Sequence, residues 1–311
     1  MIFEKLFHNS DVLLTEGALV ERLRDEFDVE FDKHINHAGV LYTNPDALEC
    51  LYKQYVDIGD KYKLPIMLMT PTRKVNFESV KESCFSDKDI IADSCAFLNK
   101  IKNQYPDGAE SIMIGGLLGC KGDAYGSEIV LGIDEAYRFH RRQTLQFAKE
   151  EVDYLFAGIM PEINEALGMA RAMADSQIPY IISFMIKKNG CLLDGTPISE
   201  AIRLIDKETN VKPLCYMTNC VHSTNVRQAL ANEVNDKDIL LKRFKGIQAN
   251  SSVLSPEELN NCGILQQGDF VGMVDEMQLL YREFDFKIFG GCCGTNDKFI
   301  DQLSAMLIAG K

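Results

Sequence analysis

The chain has 311 residues, a hydrophobic fraction of 46 % and a formal net charge of −13. That is enough apolar material for a large core, and the acidic balance argues against a phosphate-binding surface, which needs clustered Lys and Arg. Residues 1–14 lack a basic segment followed by a long apolar core, and near-apolar runs such as 112–120 are too short to span a bilayer. The sequence therefore predicts a cytoplasmic protein with neither a nucleic-acid nor a membrane partner.

One pattern recurs along the chain. A short apolar run closes on Gly, Thr, Asn or Ser, and an amphipathic stretch follows, which predicts parallel strands alternating with helices. The first run, Val12-Leu13-Leu14, ends at Thr15-Glu16-Gly17 and is followed by helices over 19–26 and 45–61, with Pro45 suited to a first helical position. The second, 65–69, ends at Thr70-Pro71-Thr72 before a helix over 87–103. The third, 111–114, ends in Gly115-Gly116 and opens a glycine-rich loop to Gly126 before a helix over 133–150. The fourth, 152–156, ends at Ala157-Gly158 before a helix over 161–175. The fifth, 179–184, leads through Thr196-Pro197 into its helix. The sixth, 213–218, ends at Asn219-Cys220 before a helix over 225–234. The seventh, 244–248, ends at Ala249-Asn250-Ser251-Ser252 before a helix over 269–284. The eighth, 286–289, runs into Gly290-Gly291-Cys292-Cys293-Gly294-Thr295 and a helix over 296–309. Eight such units predict an α/β fold, a (β/α)8 TIM barrel forming a single domain over 1–311; such barrels take about 250 residues or more. The competing doubly wound sheet is disfavoured because no Gly-x-Gly-x-x-Gly follows the first strand.

In such a barrel the chemistry gathers at the C-terminal ends of the strands. Cys220 closes strand six, and Cys292 and Cys293 close strand eight. Three thiolates there would make a zinc site with one open position, the form of a catalytic centre. The competing reading is that they are small residues packing a tight turn, since free cysteine is so often buried. Glycines on both sides allow the sharp turn that two adjacent ligands need. Cys50, Cys84, Cys95, Cys191, Cys215 and Cys262 fall in helices, mid-strand or loops and read as structural, while Cys120 is an outside candidate for substrate contact. The third loop lacks the Gly-Lys-Ser/Thr of a phosphate loop, Tyr125 stands where a Ser127 nucleophile elbow needs glycine, and there is no His-Glu-x-x-His. His222 reads either as support for Cys220 or as a surface residue at a helix start. Arg138, Arg141 and Arg142, with His140 among them, read as a solvated helix face.

Taken together, these residues resemble the homocysteine S-methyltransferase family. The resemblance rests on Glu16-Gly17-Ala18, glycine-rich loop three, residues 161–174, Leu193-Asp194-Gly195-Thr196, Asn219-Cys220 and the Gly-Gly-Cys-Cys-Gly-Thr stretch, in that order along nearly the whole chain. It implies a barrel holding Zn²⁺ on Cys220, Cys292 and Cys293, with homocysteine sulfur as the fourth ligand. The methyl donor it implies is S-methylmethionine or S-adenosylmethionine, ahead of betaine or a corrinoid. The chain has no room for folate and cobalamin modules, so the donor is expected to bind in this barrel or to come from a partner protein. The family's acidic residue at the first strand end, which meets the amino group of homocysteine, corresponds to Glu16, where Asp is more common. Gly17, Thr70, Asn219 and Asn250 complete the expected substrate contacts. Ala157-Gly158 stands where the family tends to have Glu-Thr, so one expected carboxylate is missing. A different acceptor thiol, or a non-catalytic barrel that binds zinc or an amino acid, is the alternative.

Overall fold

The computed structural model describes residues 2–122, 124, 125, 131–254, 258 and 269–310. Eight parallel strands close into a barrel in chain order: β1 (Leu13–Thr15), β2 (Ile66–Met69), β3 (Ile112–Gly119), β4 (Tyr154–Met160), β5 (Tyr180–Phe184), β6 (Cys215–Val221), β7 (Phe244–Ala249) and β8 (Ile288–Gly291). The ring shuts where Leu13 and Leu14 of β1 pair with Ile288 and Phe289 of β8. Successive side chains of a strand point to opposite faces, and the sequence uses this. Leu13, Met67, Met113, Tyr154, Phe156 and Met217 fill the barrel interior, while Leu14, Leu68, Ile114, Leu155 and Tyr216 pack outward against the helices.

The outer helices begin where local chemistry starts them. Asn44 accepts a hydrogen bond from the Ala47 N–H ahead of Pro45–Tyr62, Asp89 caps Ile90–Lys102, Glu162 caps Ile163–Asp175, and Asn296 caps Asp297–Ala309. Each cap satisfies an N–H that the helix itself leaves unpaired. The remaining major helices of this layer are Val20–Phe27, Ile133–Phe147, Ile198–Glu208, Ser223–Leu230 and Phe270–Phe284. No helix among the described residues is long and apolar enough to cross a membrane.

Several boundaries differ from the sequence expectation, each for a tertiary reason. β3 does not stop at Gly115-Gly116 but runs through both to Gly119. A Cβ on Gly115 would lie 2.2 Å from the Tyr154 ring, and one on Gly116 would lie 2.7 Å from the Phe147 ring. These glycines therefore make room for aromatic rings and do not turn the chain. β4 likewise continues past Ala157-Gly158 to Met160, with a register shift between Ala157 and Met160 and Ile159 at φ 56°. Ala157 is fully buried in the ladder. His140 is not on a solvated face: it is buried and bonds Glu165 at 2.8 Å, while Arg138, Arg141 and Arg142 are exposed. The helices Phe77–Glu82 and Lys237–Arg243 have no counterpart in the sequence pattern, nor does an N-terminal helix, Ile2–Asn9. Cys262 and Gly126 lie outside the described residues.

Candidate metal and substrate site

The three cysteines converge, and the glycine-rich turn after β8 explains how. Gly290 and Gly291 finish the strand with no space for side chains: a Cβ would meet Thr15 Oγ1 at 1.8 Å and Thr295 Oγ1 at 2.1 Å respectively. Gly294 then takes φ +76°, a conformation that favours glycine. The turn is pinned by backbone bonds from Cys292 N to Ala249 O, Ser251 N to Cys293 O and Thr295 N to Cys292 O. Thr295 Oγ1 donates to Cys292 O and accepts from Ala18 N, tying the turn to the loop after β1.

On β6, one strand beyond β7, Cys220 sits at φ 63°, an uncommon angle for a side chain other than Asn or Gly. Its neighbour Asn219 stabilises that kink. Asn219 Oδ1 accepts from Ile159 N at 2.9 Å and from Ser183 Oγ at 2.6 Å, so one side chain joins the ends of β4, β5 and β6. The bulge in β4 frees the Ile159 N–H, and Asn219 takes it up.

The result is a compact triangle. The Sγ atoms of Cys220 and Cys293 are 3.3 Å apart and those of Cys292 and Cys293 are 4.0 Å apart, with all three within 4.8 Å of one another. Tetrahedral zinc with Zn–S near 2.3 Å places its sulfurs about 3.8 Å apart, so the triangle has the right size. Its protonation also fits a cation. Hydrogen bonds from the Cys292 and Cys293 thiols hold Cys220 well below the usual thiol range, and those same bonds to Cys220 push Cys292 and Cys293 up. Three thiolates side by side need a positive charge among them.

Two further side chains lie beside this cluster that the sequence reading did not single out. Tyr125 donates its hydroxyl to Cys220, and burial followed by the nearby sulfurs raises its pKa. Glu21, in the first turn of the helix that opens off β1, lies near enough to Cys220 and Cys292 for charge to be felt between them, and burial raises its pKa. An acidic residue in the first turn after a barrel strand was the available signal, because those turns line the barrel mouth.

Glu16 follows β1 directly, and its backbone carbonyl accepts from Gly291 N, one residue before Cys292. Its side chain is buried. Oε1 accepts from Met69 N at 3.3 Å, whereas Oε2 has no partner. Tyr52, Tyr55 and Tyr154 surround it electrostatically, yet each donates its hydroxyl to a backbone carbonyl, of Met69, Ala18 and Leu68 respectively. Burial pushes the carboxyl up to about 8, an uncompensated acid of the kind found at functional sites.

The other expected contacts are placed as follows. Gly17 lies against Tyr55, whose hydroxyl would be 2.8 Å from an added Cβ. Thr70 is fully buried, its hydroxyl shared with Thr72 and with Leu117 N. Asn250 uses Oδ1 to hold its own turn by accepting from Ser252 N. His222 is a buried helix cap whose Nδ1 accepts from Thr224 N, and burial lowers its pKa. Cys120 is buried outside the sulfur triangle, as are Cys95, Cys191 and Cys215, while Cys50 and Cys84 are exposed.

A family model described as homocysteine S-methyltransferase matches residues 13–307. Among solved structures, the metallated form of the homocysteine methyltransferase MmuM from Escherichia coli is similar at 18 % identity, covering 98 % of this chain and 99 % of that one, with a TM-score of 0.77. The apo form of the same protein gives 18 % identity, 98 % and 100 % coverage and a TM-score of 0.71. At such identities the likeness is one of fold. No curated protein sequence matches significantly.

Proposed function

The chain belongs to the homocysteine S-methyltransferase family, and from that premise we propose that it methylates the sulfur of homocysteine to give methionine, at a zinc ion held by Cys220, Cys292 and Cys293. The observation that carries the metal reading is the sulfur triangle, all of it within 4.8 Å at the end of the barrel where strands deliver chemistry. Bound there, zinc would keep the acceptor sulfur as a thiolate at neutral pH, where a free thiol with a pKa near ~8.5 is mostly protonated.

The chain's own residues do the rest. The three cysteines form an anionic set that keeps a coordinated sulfur electron-rich. The Gly290–Thr295 turn and the Asn219 bridge hold that set rigid. Glu16, with one buried oxygen lacking a donor, is the proposed partner for the acceptor's ammonium group. A cation arriving there favours the ionised carboxylate and lowers its raised pKa. Thr70, Gly17, Asn219 and Asn250 frame the pocket mainly by shaping backbone. The donor is a small activated methyl carrier, S-methylmethionine or S-adenosylmethionine, and an aligned methyl group supplies much of the rate. Reduced thiols suit a cytoplasmic enzyme acting as one catalytic domain.

Zinc quantification on the purified chain, with homocysteine assayed against sulfonium, betaine and methyl-corrinoid donors, tests this reading. Stoichiometric zinc with methionine formed from a sulfonium donor is the expected result. Undiminished activity in metal-free protein, or no transfer from any donor, overturns it.

A further inference from the structure

We infer that Arg22 and Tyr55 are positioning residues: together they fix the span between Glu16 and the Cys292-Cys293 turn, and with it which thiol fits. The inference rests on the acceptor reading above and adds the device that sets its geometry.

An acceptor held by its sulfur at the cysteines and by its ammonium group at Glu16 is held at two points. Such binding is tight only where the spacing is set before the ligand arrives, because loose points must be ordered on binding. The segment that spans the two points is Glu16-Gly17-Ala18. On one side it meets the cysteine turn. Gly291 N donates to Glu16 O at 3.1 Å, Ala18 N donates to Thr295 Oγ1 at 3.3 Å, and a Cβ on Gly291 would lie 3.2 Å from Gly17 Cα.

On its other side the segment rests on Tyr55. The Tyr55 hydroxyl donates to Ala18 O at 2.8 Å, and its oxygen would lie 2.8 Å from a Cβ on Gly17. The same hydroxyl accepts from Arg22 Nη1 at 3.1 Å. Arg22 is buried, and its other donors go to Glu26 on its own helix, to Gln54 on the helix Pro45–Tyr62 and to Asp297 at the start of Asp297–Ala309. One guanidinium thus joins the helix after β1, the helix before β2 and the helix that leaves the cysteine turn. A buried charge is costly unless paired, and here two carboxylates pair it, so the fork is committed to protein partners and not to a ligand. The brace therefore holds both ends of the span. The sulfurs do not depend on it, because from the β7 side Ala249 O accepts from Cys292 N and Ser251 N donates to Cys293 O.

The test uses Tyr55→Phe, which keeps the ring and removes the hydroxyl, and Arg22→Lys, which keeps the charge and removes the fork. Thermal melting checks that each is folded. Zinc affinity is measured by chelator competition. Cobalt-substituted protein is then titrated with homocysteine and with γ-mercaptobutyrate, the same thiol without the amino group. Both variants are expected to bind homocysteine about 10-fold more weakly, while zinc and γ-mercaptobutyrate bind as in the wild type. A merely structural role would weaken both thiols alike. Equal loss for the two thiols, undiminished homocysteine binding in both variants, or loss of zinc overturns the positioning role and leaves the proposed activity intact. A wild-type chain that takes up no metal, or that binds the two thiols equally, overturns the acceptor reading and the positioning role together.

Discussion

The two ends of the barrel are built on opposite terms. At the N-terminal end the helix Ile2–Asn9 closes the opening. Phe3 stacks on Tyr154 with ring centroids 4.6 Å apart, Phe7 joins the interior cluster, and Lys287 Nζ caps the helix on the carbonyls of Phe7, His8 and Ser10. At the C-terminal end three thiols crowd together, Glu16 Oε2 lies buried without a donor, and Cys220 is held at a positive φ. Stability is concentrated at one end, while the other keeps unmet demands that a ligand is positioned to meet.

Breaking each end separately should make the contrast measurable. Cys292→Ala is expected to abolish stoichiometric zinc and lower methyl transfer by roughly 10³-fold or more, with little change in melting temperature of the metal-free protein. Metal analysis alongside rate measurement checks it. Phe3→Ala should do the reverse, costing about 3–5 kcal/mol in denaturant unfolding while metal-free chain, once folded, still takes up one zinc. A fall in zinc stoichiometry in that variant would erase the distinction between the ends.

Glu16→Gln sharpens the comparison, because function and stability should move in opposite directions. Acceptor affinity is expected to fall about 10- to 100-fold, the scale of a lost charge-assisted hydrogen bond. The carboxyl titrates near 8 when folded against a model value of 4.5, so between these values the folded chain holds a proton that the unfolded chain releases. Wild-type stability should therefore fall as pH rises through that window, and Glu16→Gln should not show the fall. Unfolding curves at pH 5 and pH 8.5 should coincide more closely in the variant; equal pH dependence in both proteins would remove Glu16 from the account. Smallest is Thr295→Val, which loses two bonds at the Cys292 turn and should cost about 1–2 kcal/mol with zinc still bound.

The barrel was legible because parallel strands buried on both faces leave short apolar runs, and each run here ends in a residue fitted for a turn. The boundaries were less so. Gly115 and Gly116 read as a strand end, and only Tyr154 and Phe147, 39 and 31 positions away, explain why they are glycine within a strand. The helix Ile2–Asn9 left no signal of its own because its role depends on a barrel floor that exists only in three dimensions. The cysteines were legible because adjacent thiols between glycines at a strand end have few structural uses. The tyrosines around Glu16 that give it no hydrogen bond arise from packing between distant segments and had no local pattern to betray them.

The seam at β1 carries one more consequence. This strand has three residues and only two register pairs on either side, to β2 and to β8, making it the most thinly joined part of the ring. The Cys292-Cys293 turn hangs from β8 on one flank of that joint, and Cys220 anchors from β6 across β7. An ion gripped by all three sulfurs would act as a clasp, biasing the ring toward its closed form by mass action. Amide exchange at Leu13–Thr15 should then slow when metal is added, so the backbone of an apolar strand that carries no ligand would report on occupancy of the site.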